Sequence, residues 1–168
     1  MIMKTLILTI ILTCSSIAAG QASKPSWISV EDLYAKYQST DDYSYLSNAL
    51  YRCSALNALL GSLFVRDGRA EGELLLDRSN TQFLMANTFR ALRQLEQGAD
   101  IDLESATLDL TVMESDMYKT MTMNYANWFT YNYTMYGDLT TEPDMNNEIN
   151  VCAEITASSY AIVNNASN

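Results

Sequence analysis

An apolar stripe at helical spacing constrains the fold more than any other feature of the sequence. Residues 113–136 read MESDMYKTMTMNYANWFTYNYTMY, a run rich in methionine and aromatic side chains. The stripe consists of Leu110, Met113, Met117, Met121, Tyr125, Trp128, Asn132 and Met135, at spacings of 3, 4, 4, 4, 3, 4 and 3 residues. This period predicts one helix of about seven turns. Further aromatic residues beside the stripe widen the apolar face, so we expect the helix to be buried on two sides.

Four other segments have the periodicity and boundary signals of helices. Ser29 is the expected N-cap of a short helix in WISVEDLYAKYQS. Two longer segments, TDDYSYLSNALYRCSALNALLGSLFVRDG and EGELLLDRSNTQFLMANTFRALRQLEQG, each end at a glycine. Only the second half of the latter has a clear stripe, so one long helix and two helices separated near Ser79 both fit. The last segment, TTEPDMNNEINVCAEITASSYAIV, begins with Thr141 as the cap and Pro143 in the first turn.

Two cysteines lie in the first and the last of the main helices. With only two prolines and six glycines in 168 residues, little interrupts the helices. We therefore predict an all-α fold, an antiparallel bundle of about four main helices plus a short N-terminal helix. Cys53 and Cys152 each lie on the apolar stripe of their own helix, and the first and last helices of such a bundle are neighbours. A Cys53–Cys152 disulfide is expected to close the bundle, with two separate buried thiols as the alternative.

The N-terminus has the parts of an export signal. Residues 1–22 contain one cation, a short apolar run and then small residues, which predicts a secretory signal peptide followed by a single helical domain over 23–168. An uncleaved anchor and a lipid anchor at Cys14 are alternatives, although the run is short for a bilayer span. We expect an exported protein, periplasmic or secreted, with no stable membrane insertion after cleavage. In a eukaryotic source, the sequons at Asn132 and Asn165 would also be relevant.

The absence of histidine restricts the chemistry of the whole chain. It excludes Ser-His-Asp and Cys-His hydrolysis, imidazole-bound zinc, haem with a proximal histidine and the Glu-x-x-His di-iron bundle. The sequence also lacks a Gly-rich phosphate loop and a GxSxG elbow. After removal of the signal peptide, nine basic residues stand against twenty acidic ones, a net charge of −11. Such a surface repels phosphate backbones, so we expect no nucleic-acid partner.

The methionine- and tyrosine-rich segment allows three interpretations. Core packing is the ordinary role of such side chains and the one we expect. A copper(I) site would use the thioethers of Met113, Met117 and Met121. Successive sulfurs stand about 6 Å apart along the helix, however, so a partner helix would have to complete that site. A small-ligand pocket is the third interpretation, because aromatic rings and amides can stack on a ligand and orient it. That candidate pocket consists of Tyr118, Asn124, Tyr125 and Trp128.

Three further features bear on function. Arg52, Arg90 and Arg93 would either pair with surface acids or bind an anion. An N-terminal arm carrying Trp27, Tyr34 and Tyr37 would offer an exposed apolar patch to a protein partner. Two carboxylates in a cleft would allow hydrolysis without histidine, although the sequence alone shows no such pair.

We therefore expect a non-catalytic binding or interaction module without a cofactor, whose partner is a protein or a small molecule. Small-ligand or copper(I) binding in the core and a carboxylate-pair hydrolase are the alternatives.

Overall fold

The computed structural model describes residues 22–166 and shows an all-helical chain. The predicted signal peptide, including Cys14, lies outside the described residues except for Ala22. The helices are α1 (Val30–Thr40), α2 (Tyr43–Arg66), α3 (Glu71–Glu96), α4 (Leu103–Thr107), α5 (Thr111–Glu114), α6 (Asp116–Tyr136) and α7 (Pro143–Ala166). No strand occurs in residues 22–166, so the all-α prediction is confirmed. The four main helices are α2, α3, α6 and α7, and α1 is the short N-terminal helix.

Helix α2 is the centre of the molecule. Fourteen of its 24 residues are buried, and it contacts α1, α3, α6 and α7. The centre is therefore α2 and not the methionine- and tyrosine-rich helix. Small residues such as Ala49, Ser54 and Ala55, all completely buried, let neighbouring helices approach α2 on several sides. The bulky side chains of α6 instead pack against α2 from one side.

Helices α2 and α3 form a close antiparallel pair. Ser47 of α2 donates a hydrogen bond to the carbonyl of Ala86 at 2.8 Å, whereas Ser54, further along α2, contacts Ser79, an earlier residue of α3. Near the connection the backbones touch, since a Cβ atom at Gly72 would lie 2.5 Å from the amide nitrogen of Val65. Because α3 is continuous across Ser79, the interpretation as one long helix is the correct one.

The cap of α1 agrees with the sequence, while the cap of α7 differs. Ser29 Oγ accepts a hydrogen bond from the amide of Asp32 at 3.0 Å, as predicted. At α7, the carboxylate of Glu142 accepts from the amide of Met145 at 2.9 Å. Thr141, the predicted cap, turns its hydroxyl away and donates to Asp138 at 3.0 Å. Glu142 can reach because it directly precedes Pro143, where α7 begins.

The predicted seven-turn helix is interrupted at Ser115. This residue is extended, with φ −63° and ψ 149°, and its Oγ caps α6 by accepting from the Tyr118 amide at 3.2 Å. The extended Ser115 ends α5 and separates it from α6, and the last turn of α6 carries exposed side chains at Tyr133, Met135 and Tyr136. The ends of the stripe are accordingly solvent-exposed, with 57% of Leu110, 44% of Met117 and 60% of Met135 accessible. Only the middle of the stripe is buried as predicted.

The disulfide between Cys53 and Cys152 is present and joins α2 to α7. Its Cα atoms are 5.3 Å apart, a normal separation for a disulfide, and both residues are buried. The predicted pairing is therefore confirmed. Among residues 22–166, no helix combines the length and apolar character needed to cross a bilayer.

Candidate functional site

A polar cleft of about 420 Å³ lies between α2, α3 and the junction of α5 with α6. Its size falls within the range of small-molecule sites. Hydroxyl groups line it at Ser44, Ser47, Tyr51, Thr111 and Ser115, and amides at Asn48 and Gln94. Arg90 and Arg93 supply two cations, and most of the remaining exposed lining is apolar, from Val112, Met117 and the carbon atoms of the polar side chains. The cleft thus combines many hydrogen-bonding groups with positive charge.

The cleft exists because α4 and α5 are tied to α3 by a buried asparagine. The side-chain amide of Asn87 donates to the carbonyls of Thr107 and Asp109, each at 3.0 Å. Its Oδ1 accepts a hydrogen bond from the hydroxyl of Tyr51 at 2.6 Å. With the α4–α5 connection held there, α5 and the start of α6 line the side of the cleft that faces α2 and α3.

The two arginines of the cleft are held to different degrees. Arg93 Nε lies 3.2 Å from a carboxylate oxygen of Asp42, and its Nη1 donates to Glu96 at 3.4 Å. Arg90 Nη1 lies 3.9 Å from Asp109, which is beyond hydrogen-bonding distance. Arg93 therefore lies between two carboxylates, although its buried Nε makes no hydrogen bond. Arg90 has a more distant carboxylate and interacts with the Tyr51 hydroxyl.

Local contacts keep the charges around the cleft fixed. Hydrogen bonds from Ser44 lower the pKa of Asp42, and those from Thr111 lower the pKa of Asp109. Burial raises the pKa of Tyr51, an effect that the nearby Arg90 opposes, so the phenol stays a neutral hydrogen-bond donor. The carboxylates of the two aspartates lie behind the arginines and are not part of the lining. The lining itself is neutral or positive.

The predicted small-ligand residues do not surround a cavity. Tyr118 and Tyr125 are buried in the core, and the Trp128 ring stacks on Tyr125 with 6.3 Å between centroids. Asn124 is half-buried on the same helix. Burial raises the pKa of Tyr118, whose hydroxyl lies 2.9 Å from Ser54 Oγ. None of the four predicted residues lines the polar cleft.

Tyr125 belongs instead to a buried charged cluster. Arg52 and Glu148, which are 3% and 5% exposed, form an ion pair between α2 and α7. The Tyr125 hydroxyl donates to the same carboxylate at 2.5 Å, and Arg52 also donates to the carbonyl of Ile28. Burial and the Glu148 carboxylate raise the pKa of Tyr125 well above its ordinary value. The Trp27 ring covers this cluster, with its centroid 4.0 Å from the Arg52 guanidinium carbon.

The predicted exposed arm is packed against the core. Trp27 also meets Tyr125 edge to face at 5.0 Å, while Tyr34 and Tyr37 are half-buried against the same core. The interpretation as an exposed apolar patch is therefore wrong for this segment. Its aromatic residues bury their faces because α1 lies across α2 and α7.

The three methionines proposed for copper(I) do not share a helix. Met113 lies on α5, before the break, whereas Met117 and Met121 lie on α6. The single-helix alignment on which that hypothesis depended is therefore missing. Within residues 22–166, no group of three His, Cys, Asp or Glu side chains is placed to hold a metal ion.

A second groove of about 430 Å³ lies between α2 and α6. Its surface is mainly apolar, with Leu59, Leu63, Phe129 and Tyr133 among the lining residues, and Asp67 contributes its carboxylate. A carboxylate pair therefore lines neither of the two clefts, and the hydrolase alternative gains no support from them. Beside this groove, the predicted sequon residue Asn132 is fully buried, and its amide donates to the carbonyl of Leu139 at 2.9 Å.

In comparisons with known proteins, the chain matches no protein-family model, no curated protein and no solved structure.

Proposed function

We propose that this protein is an exported, non-catalytic binding module that holds a small polar molecule in the cleft between α2, α3 and the α5–α6 junction. The observation that carries the proposal is the lining of this cleft. Hydroxyls, amides and two arginines surround a volume of about 420 Å³. Binding sites of this kind use a few oriented polar groups to select a ligand. The N-terminal signal pattern and the disulfide support export to an oxidising compartment, the periplasm or the extracellular space.

The rigidity of the lining supports binding. Asn87 fixes the connection between α4 and α5, Tyr51 is anchored on Asn87, and Arg93 is held by two carboxylates. A preformed site loses less conformational entropy when its ligand binds. Because the lining carries no carboxylate, thiol or histidine, it contains no general base of the usual kinds, and this favours binding over hydrolysis.

The test is chemical-shift mapping of the ¹⁵N-labelled mature protein against a panel of neutral sugars, amino sugars and small hydroxy acids. We expect at least one class to shift amide resonances around the cleft. The variant Asn48→Trp places a large ring in the cleft and should abolish those shifts. Thr134→Trp makes a similar change in the second groove, so it should leave them intact. Shifts confined to the second groove, or lost equally in both variants, would contradict the proposal.

A further inference from the structure

We infer that the ligand of this polar cleft is a small, hydroxylated, singly charged carboxylate, and that Arg90 binds its carboxyl group. This inference rests on the proposed function and names the ligand class of the same site. The inference starts from the difference between the two arginines in their distances to the nearest carboxylate oxygens. Arg93 already has carboxylate oxygens at 3.2 Å and 3.4 Å, whereas the nearest carboxylate oxygen of Arg90 is 3.9 Å away.

Asp109 is poorly placed to satisfy Arg90. Its Oδ1 accepts two hydrogen bonds from Thr111, at 2.9 Å from the amide and 2.6 Å from the hydroxyl. These bonds fix the carboxylate at the start of α5, so it cannot move onto the guanidinium without releasing them. Arg90 lines the cleft beside the Tyr51 hydroxyl, and an incoming carboxylate can use the guanidinium donors that Tyr51 leaves open. A guanidinium matches a carboxylate in shape, because two parallel N–H groups can meet the two oxygens.

The charge of the whole protein limits the ligand to one negative charge. The chain carries a formal charge of −10, and the carboxylates of Asp42, Asp109 and Glu96 lie close behind the arginines. At physiological ionic strength, charges are screened over about 8 Å, so these neighbours act on a ligand in the cleft. A second negative charge would have only Arg93, which two carboxylates already flank, and it would be repelled by them.

The remaining lining residues favour a ligand that carries hydroxyl groups in addition to its carboxyl group. Around the arginines, most lining side chains end in a hydroxyl or an amide, while Val112, Met117 and the carbon atoms of the other side chains form the apolar part of the lining. A fatty acyl chain would leave these polar groups without partners, which is costly once water is displaced. A chain or ring bearing several hydroxyl groups can satisfy them.

The experiment compares three probes of one carbon skeleton. Gluconate, glucose and glucosamine are titrated into the ¹⁵N-labelled mature protein, with citrate and inorganic phosphate as further anions. We expect gluconate to bind through the cleft about tenfold more tightly than glucose, the discrimination typical of one charge-assisted hydrogen bond. Glucosamine and citrate should bind more weakly than gluconate, and phosphate should produce no comparable shifts in the cleft.

Variants of the arginines test the assignment directly. Arg90→Gln should lower the affinity for gluconate to that for glucose, while Arg90→Lys should retain part of the preference. Arg78→Gln removes the same charge from the same helix outside the cleft and should change nothing. If Arg90→Gln does not fold, the preference of Arg90→Lys for gluconate over glucose tests the assignment instead.

The failures of the two proposals are distinguishable. If glucose binds in the cleft as tightly as gluconate, the inference about the carboxylate is wrong and the proposed function stands. If phosphate binds as tightly as gluconate, the cleft holds an adventitious ion only, and the inference is again overturned. If neither the probes nor the wider panel shifts a cleft resonance, both proposals fail.

Discussion

Arg52 shows how one residue can be both buried and charged in the central helix, α2. It lies beside Cys53 and is 3% exposed, yet its guanidinium has partners on three sides. The Glu148 carboxylate and the Ile28 carbonyl accept its hydrogen bonds, and the Trp27 ring covers its face. Taking both charges out of water costs several kcal/mol per ion, so the pair survives only because these contacts are all present.

We predict that Arg52→Met lowers the free energy of unfolding by about 3–5 kcal/mol, because Glu148 is left as a buried charge without its cation. The double variant Arg52→Met/Glu148→Leu should recover much of this loss. Arg66→Met, which removes a pair on the exposed end of the same helix, should cost less than about 1 kcal/mol. Urea unfolding monitored by circular dichroism measures all three. A double variant less stable than Arg52→Met would refute this explanation.

At the scale of the elements, several helices and turns begin with an ionised aspartate. Asp42 caps α2, Asp102 caps α4, and Asp109 and Asp138 accept backbone hydrogen bonds in the turns before α5 and α7. In each case these hydrogen bonds lower the pKa of the carboxyl group below its ordinary value of 3.8. The charged form is therefore preferred in the folded state.

The pH dependence of stability follows from this direction. Each of these aspartates has a lower pKa in the folded protein than in the unfolded chain. The stabilisation is therefore fully present when the pH is above the unfolded-state pKa, and it is lost as the pH falls through the folded-state pKa. We expect the free energy of unfolding to decrease progressively as the pH is lowered from about 5 towards 2. Asp42→Asn and Asp102→Asn keep a capping oxygen but cannot titrate, so the combined variant should show a shallower decrease in urea titrations at several pH values. An unchanged slope would argue against these caps.

The N-terminal segment and α1 behave as part of the core. Val30 is completely buried and Leu33 is 7% exposed, and the Val30 amide donates to Glu148 at 3.5 Å. Lys24 forms ion pairs with Glu142 and Asp144 at the start of α7. This segment therefore fastens the N-terminus across the last helix.

We predict that deletion of residues 22–40 destabilises the bundle by about 4 kcal/mol or more. Burial of two aliphatic side chains contributes about 1.5–3 kcal/mol each, and the deletion also uncovers the Arg52–Glu148 pair. Thermal unfolding would detect the loss, and hydrogen exchange should show faster exchange at the start of α7. A truncated chain with an unchanged melting temperature would show instead that the segment is a separable arm.

At the scale of the whole molecule, the disulfide joins helices at opposite ends of the sequence. Cys53 and Cys152 are 99 residues apart, so the bond restricts most of the unfolded chain. In the chain-entropy description, closing a loop of this length contributes about 4–5 kcal/mol at 25 °C.

We predict that Cys53→Ala/Cys152→Ala lowers the free energy of unfolding by about 4 kcal/mol while the far-ultraviolet spectrum stays helical. The denaturant m-value should increase, because the unfolded chain becomes more expanded without its cross-link. Reductant should affect the wild-type protein and leave the double variant unchanged. A double variant as stable as the wild type would mean that helix packing alone closes the bundle.

What the sequence determined by itself was the helical class, most of the helix positions and the disulfide. These properties follow from spacing along the chain, since one apolar face every 3.6 residues must be buried whatever its neighbours are. Both cysteines could be paired because each lies on such a face. Arg90 and Arg93 were recognisable as candidates for anion binding, although not as members of one cleft.

Only the tertiary structure decided where the long apolar stripe breaks and which charges are buried. Ser115 fits a helix as well as a cap, and the choice follows from Asn87, which holds the chain at Thr107 and Asp109. Arg52 finds its counterion 96 residues away, a pairing that no local pattern encodes. The polar cleft needs both the break at Ser115 and the packing of α3 against α2. A cavity is a property of how helices meet, so it becomes visible only after they have packed.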